Sequence, residues 1–283
     1  MNSAKRDWLY VKIYSGGGDD VGALLPAVLE WKASLKGVDR WHFLRYMDHS
    51  GHHLRVRLRG RPEDVDDWYR DLPRLEQLAR REPGRTMTRI IHDPMAERAG
   101  HGSGVCVGLY SPELAKYGGP EGMEDAELIF QESSQACMDN RVWTWAPLER
   151  LVAATDYIGA VEREAGFEPG TLSGRIADRW ADRLRYGGLE PDKLRQRAPT
   201  LNDRLRSRAC PPADWSELVQ LTSRILAERS AAAAPDFPLD LVHMHINRIG
   251  LNPLEECLAA HLCETSSPTT EGDTCHDRPE PCA

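Results

Sequence analysis

His53, Arg55, Arg57 and Arg59 alternate along one short stretch, and they are the first residues whose types and spacing bear on chemistry. Residues two apart on a strand project from the same side. Three arginines in such a row repel one another unless something anionic lies over them. A guanidinium fork grips a carboxylate at two points, so a ligand with two carboxylates, such as a glutamyl group, suits this face. The plain alternative is a solvated edge face. Tyr110-Ser-Pro-Glu113 and Lys116-Tyr-Gly-Gly119 come next. The glycine pair permits a tight turn before a helix, and Lys116 can add a cation to the same pocket. Read plainly, this is a strand-to-helix connection. The third group is His243-Met-His245-Ile-Asn247-Arg248. On a helix His243 and Asn247 share one face, and His245 and Arg248 share another. An imidazole near neutrality passes protons in either direction; a satisfied core histidine is the alternative for each. Zinc fits less well, because paired metalloprotease histidines stand four apart beside a glutamate.

The elements that must position these groups can be read from hydrophobic period and turn chemistry. Trp8–Tyr14 is β-branched and aromatic and reads as a strand. Asp19 or Asp20 is expected to cap a helix running to about Leu35. Trp41–Met47 and His53–Arg59 read as a hairpin turned at Asp48–Gly51, with Leu54, Val56 and Leu58 facing a core. Pro62–Arg81 reads as one helix, Thr86–His92 and Val105–Tyr110 as short strands around the glycine-rich loop Asp93–Gly104, and Gly119–Met138 as a helix. Helices follow at Ala146–Ala165, Leu172–Tyr186, Pro191–Ser207, Trp215–Ala233 and Leu239–His261, the last broken near Gly250 and Pro253. The expected fold is α+β, with a mixed or antiparallel sheet in the N-terminal half packed with helices and a mostly helical C-terminal half. One domain is expected over 1–263, strand-rich to 140 and helical after it, with a disordered tail at 264–283 rich in Ser, Thr, Pro, Glu and Asp.

Composition bounds the partners. The chain has 283 residues and a net charge of -8, which argues against a duplex or tRNA as its direct ligand. No apolar run is long enough to span a membrane, and Met1–Asp7 carries no secretory pattern, so a cytoplasmic protein is expected. Seven cysteines, an odd number without a C-x-x-C, argue against a disulfide framework. Cys257, Cys263, Cys275, His276 and Cys282 cluster near the end, but their spacings match no common zinc pattern, and no metal is expected. Nucleophile elbow, Walker loop and dinucleotide fingerprint are all absent, and no cofactor is expected.

Taken together and in order, these stretches resemble a known family. They are Trp8–Tyr14, Trp41–Asp48, His53–Leu58, Tyr110–Glu113 with Lys116–Gly119, Ala126–Phe130 with Ser133 or Ser134, and His243–Arg248. The family is the elimination domain at the C-terminus of the nisin and subtilin dehydratases, also called the thiopeptide-type bacteriocin biosynthesis domain, and the resemblance runs from about Asp7 to Gly250. It implies a tailoring enzyme acting on a ribosomal precursor peptide. A separate tRNA-dependent protein would glutamylate Ser or Thr, and this chain would expel glutamate to leave dehydroalanine or dehydrobutyrine.

The resemblance also implies roles. Arg55 and Arg57 would bind the glutamyl group and His243 would move the proton. His53, Arg45, Lys116, Tyr117, Asn247, Arg248 and His245 would contact substrate. Lys116 departs from the arginine usual in the family; it keeps the charge but loses the fork. That departure keeps open a second activity of the same family, a pyridine synthase that joins two dehydroalanines by a formal aza-[4+2] cycloaddition and releases the leader peptide. A non-catalytic peptide-binding scaffold is a third reading. The oligomeric state is left open, a homodimer being one option.

Overall fold

The structure is a computed structural model describing residues 5–82, 84–206, 213–229 and 234–265. Strands β1 (Asp7–Ser15), β2 (Arg40–Asp48), β3 (Gly51–Gly60) and β4 (Ser103–Gly108) form one antiparallel sheet in the order β2-β3-β1-β4. Alternation decides its faces. Leu9, Val11 and Ile13 lie opposite Leu58, Val56 and Leu54, and all six are buried. They share a core with Leu25, Val28 and Trp31 of α1 (Leu25–Ser34) and with Leu75 and Leu78 of α3 (Leu72–Ala79). The other face carries Trp8, Tyr10, Lys12 and Tyr14 opposite Arg59, Arg57, Arg55 and His53.

Four expectations are corrected here. Neither Asp19 nor Asp20 caps α1: a 3-10 turn, Val21–Leu24, leads into the helix, and Asp20 makes no capping bond. The segment Thr86–His92 pairs with no strand. Its N–H groups go instead to carboxylates: Met87 donates to Asp19 (2.6 Å), and Ile90 and Ile91 to Glu255 (2.8 and 3.4 Å). Pro62–Arg81 is two helices, α2 (Pro62–Arg70) and α3, because Pro73 has no N–H to donate and its ring excludes the carbonyl four residues back. The last strand starts and stops two residues early, at Ser103–Gly108.

The helical half follows the periodicity closely: α4 (Gly119–Asp139), α5 (Pro147–Glu164), α6 (Thr171–Tyr186), α7 (Pro191–Arg206), α8 (Ser216–Arg229), α9 (Phe237–Ile249) and α10 (Pro253–Glu264). The expected break falls at Gly250, whose φ of 106° lies in the left-handed region that favours glycine. Asn252 then caps α10 by accepting from Leu254 and Glu255, and Glu255 reaches back to the Asn252 N–H. Leu254, Cys257, Leu258, Ala259, Ala260, Leu262 and Cys263 bury α10 on all sides, as suits a central helix packed by α5, α6 and α7. Glu264 closes this helix instead of opening a tail; residues 266–283, with Cys275, His276 and Cys282, and the expected helix end at 230–233 lie outside the described residues. No helix among the described residues is long and apolar enough to cross a membrane.

The outer edge of β2 meets no further strand; side chains cover it. Gln131 and Ser134 of α4 accept from the N–H groups of Trp41 (3.3 Å) and Phe43 (3.2 Å). Asn247 of α9 bonds both backbone groups of Arg45, accepting from its N–H and donating to its C=O, each at 2.9 Å. Arg248 donates to the Phe43 C=O (2.8 Å). A carboxamide thus plays the part of a neighbouring strand and fixes α9 against the sheet. Asn247→Ala strands both groups of the Arg45 peptide, and we expect a loss of about 2–4 kcal/mol, several degrees of melting temperature. Asn247→Asp keeps the acceptor but has nothing to donate, and should fall between. Thermal or urea unfolding checks the order.

Candidate functional site

The polar face of β3 opens into a cleft of about 480 Å³ between the sheet and α4, α6 and α9. Most cations on this face have acidic partners: Arg59 bonds Asp39 (2.9 Å), Lys12 bonds Asp48 (3.0 Å) and Arg40 pairs with Glu127 (3.3 Å). Arg55 and Arg57, between them, have no carboxylate in ion-pair contact among the described residues. Other groups hold them in place. The Arg55 guanidinium lies 3.2 Å from the centre of the Tyr46 ring, and its Nε donates to His53 Nε2 (3.4 Å). Arg57 lies over Tyr110 (4.6 Å) and Tyr10 (5.1 Å), and its Nη1 donates to His42 Nε2 (3.2 Å). Burial, followed by Arg57 itself, holds His42 well below the ordinary imidazole value, so it accepts as a neutral ring. Burial likewise lowers His53, whose Nδ1–H donates to the Gly51 C=O (3.0 Å) and leaves Nε2 as the acceptor. Rings and neutral imidazoles orient both arginines without cancelling their charge.

The docked Asn247 sets the height of His243, one turn earlier on α9 and part of the cleft wall. The His243 side chain is 18% exposed, so substrate can reach it. Its Nδ1 lies 2.6 Å from the buried carboxylate of Glu256 on α10, and the Trp180 ring packs 5.2 Å from it. A carboxylate only accepts, so Nδ1 carries a hydrogen, and the neutral form of the ring keeps its lone pair on Nε2.

Beside α9 the cleft adds Lys116, between Glu113 (3.6 Å) and Asp240 (3.5 Å), and Tyr117. Burial pushes both phenols, Tyr110 and Tyr117, above their ordinary value, Tyr110 also through the bond it donates to Glu127 (2.6 Å), so both stay protonated donors. From α6 come Arg179, bonded to Asp240 (2.7 Å), and Arg183, bonded to Asp93 (2.6 Å). Past His52, Arg89 and Asn252 the cleft continues into a second chamber of about 300 Å³, lined also by Gly17, His92 and His101.

Seven of the residues expected from sequence line this cleft: Arg55, Arg57, His243, Arg45, Lys116, Tyr117 and Asn247. Arg45 does so from the far side of its strand. It pairs with Leu54, so its side chain leaves the face that bears Arg55; burial, with Arg150 beside it, draws its guanidinium down to about 9. Asn247 has both amide atoms committed to the Arg45 backbone. His53, His245 and Arg248 do not line the cleft, and all three are fully buried. His245 Nδ1 meets Ser133 Oγ (2.9 Å), and Arg248 is spent on Phe43, Ser133, Ser134 and Met244. The two faces of α9 thus divide into a cleft side and a core side. Sequence reasoning missed Glu256, Arg89, Arg179 and Arg183. Glu256 could have been found by folding the helix back at Gly250, since positions 243 and 256 are nearly equidistant from that break.

An α+β domain whose cleft opposes uncancelled guanidinium groups to a carboxylate-backed imidazole is built to hold an anion beside a proton-transfer group. The chain belongs to the lantibiotic biosynthesis dehydratase C-terminal family, whose model matches residues 8–266. Two solved structures share the fold. The tRNA-dependent lantibiotic dehydratase MibB from Microbispora sp. 107891 is 21% identical with a TM-score of 0.56, over 94% of this chain and 28% of MibB. The pyridine synthase TbtD, from thiomuracin biosynthesis, is 17% identical with a TM-score of 0.59, over 91% of this chain and 96% of TbtD. This chain therefore spans little more than a quarter of MibB. A search of curated proteins gives no match.

The buried imidazoles set a pH dependence. Burial holds His42 and His245 well below the ordinary value in the folded state, while unfolded histidine titrates near ~6.5. The unfolded chain therefore binds the extra protons. Stability is complete above about pH 6.5 and falls as pH drops below it, by up to about 1.4 kcal/mol per pH unit for each histidine. Urea midpoints at pH 7.5 and 5.0 should differ accordingly, and His245→Phe should flatten the difference.

Proposed function

We propose that this chain is the elimination half of a split dehydratase, which expels glutamate from glutamylated Ser or Thr of a ribosomal precursor peptide. The observation that carries the reading is the pairing, in one cleft, of two arginines without carboxylate partners among the described residues and one imidazole backed by a carboxylate. The glutamyl carboxylate lies between Arg55 and Arg57. His243 Nε2 takes the Cα proton. The electron pair forms the Cα–Cβ double bond, the Cβ–O bond breaks, and glutamate leaves with a second carboxylate, freed from the ester, inside the same cationic cleft. Tyr117 and Lys116 supply further donors to the same cleft. The second chamber gives room for residues flanking the reacting one, which supports a peptide substrate. Glutamylation is assigned to a partner on the ground of charge, because a net charge of -8 is ill suited to gripping tRNA.

One observation favours the pyridine synthase reading. Lys116 has its charge shared between Glu113 and Asp240, so it offers less to an incoming carboxylate than a free guanidinium would. A single assay separates the two. The purified protein is given a peptide with glutamylated Ser and, separately, one with preformed dehydroalanines, and products are followed by mass spectrometry. We expect glutamate loss from the first, reduced about 10²–10⁴-fold by His243→Ala and strongly reduced by Arg55→Ala. Leader release with a new aromatic ring from the second peptide, and none from the first, would replace elimination with cycloaddition.

A further inference from the structure

We propose that Glu256 is a positioning residue for the reaction, holding His243 in the one tautomer that can act as a base. Its neighbour shows by contrast what a purely structural carboxylate looks like here. Glu255 bonds the N–H groups of Asn252, Ile90 and Ile91 and pairs with Arg89, using both oxygens. Glu256 is equally buried, yet its hydrogen bond is to His243, 2.6 Å away, and its second oxygen, Oε1, is buried with no partner among the described residues. Burying a carboxylate with half its hydrogen-bonding capacity unused opposes folding. An apolar side chain of the same size would suit this buried position of α10 better. The position therefore costs stability, and what it secures is the imidazole.

Three elements converge on that imidazole. Glu256 lies in the first turn of α10, where the helix N-terminus favours a negative charge. Its Oε2 takes the Nδ1 hydrogen, which leaves the lone pair on Nε2. Trp180 of α6 packs against the ring, and Asn247 fixes the backbone one turn on. Without the carboxylate, the neutral ring is free to carry its hydrogen on Nε2, and the molecules that do so have no base to offer the cleft. Once the proton has moved, the same carboxylate balances the imidazolium.

The chemistry assigned to His243 rests on the elimination reading, but the contact does not, and the test separates them. Histidine ¹⁵N shifts of the ligand-free protein at pH 8, with the His243 signals identified by their loss in His243→Gln, should give a protonated Nδ1 and a bare Nε2. In Glu256→Gln those shifts should move towards the other tautomer. On the glutamylated peptide its kcat should fall by about 10²–10⁴-fold with KM little changed, while its melting temperature holds or rises. Glu256→Asp, which keeps the charge but withdraws it by one methylene, should recover part of the rate, and it serves as the test if the glutamine variant fails to fold. An unchanged tautomer in Glu256→Gln, or turnover within twofold of the parent, overturns the proposal. If the parent protein expels no glutamate while the tautomer still depends on Glu256, the elimination reading fails and the positioning stands.

Discussion

The peptide of Arg45 is bonded on its open side by one carboxamide, that of Asn247, and much of the site depends on this contact. An edge strand exposes unpaired N–H and C=O groups, which must be satisfied or covered. Here α4 and α9 supply Gln131, Ser134, Asn247 and Arg248 as substitutes for a fifth strand. Side chains are less forgiving than another strand, because each reaches one backbone position and no other. The sheet and the helical half are therefore held in a single register. His243, one turn from Asn247, inherits that register, and so does the distance across the cleft to the arginines of β3.

The second organising feature is the way charge is kept available. Arg59, Lys12 and Arg40 are neutralised by carboxylates and serve the fold. Arg55 and Arg57 are steered by neutral groups, which give direction without a competing anion. The imidazole is treated the opposite way, with a buried anion set directly behind it. In the elimination we propose, cations face the place where negative charge leaves, and an anion backs the place where positive charge arrives. Both arrangements act through fixed dipoles and need little reorganisation when charge moves.

Much of this was legible in the sequence, for definite reasons. Period-two alternation in His53–Arg59 determines which residues share the polar face of β3, and period-3.6 spacing in His243–Arg248 divides a cleft face from a core face. What local pattern could not give is the consequence of contacts far apart in sequence. Thr86–His92 has strand-like composition, but carboxylates at positions 19 and 255 take its N–H groups. Arg45 sits in a matching motif, yet its register with Leu54 turns it to the other face of the sheet. His53 and Arg248 have residue types suited to ligand binding and are used instead to orient Arg55 and to seal a strand edge. Glu256 carries no local signal at all, since its partner is thirteen positions away across a turn.

That turn bears on which changes of length the chain can accept. Most of the connections lie on the surface, where an added residue loops outward at small cost. The link from Gly250 to Asn252 differs, because both helices it joins are anchored independently, α9 on the β2 edge and α10 among α5, α6 and α7. Each residue advances an α-helix by about 100°. One residue gained or lost there that turned α10 by this angle would carry Glu256 away from the imidazole and Glu255 away from Arg89, Ile90 and Ile91 together. A connector three residues long, itself tied down by Arg89 at Gly250 and by the Asn252 cap, thus works as a ruler that sets the phase of α10 against α9.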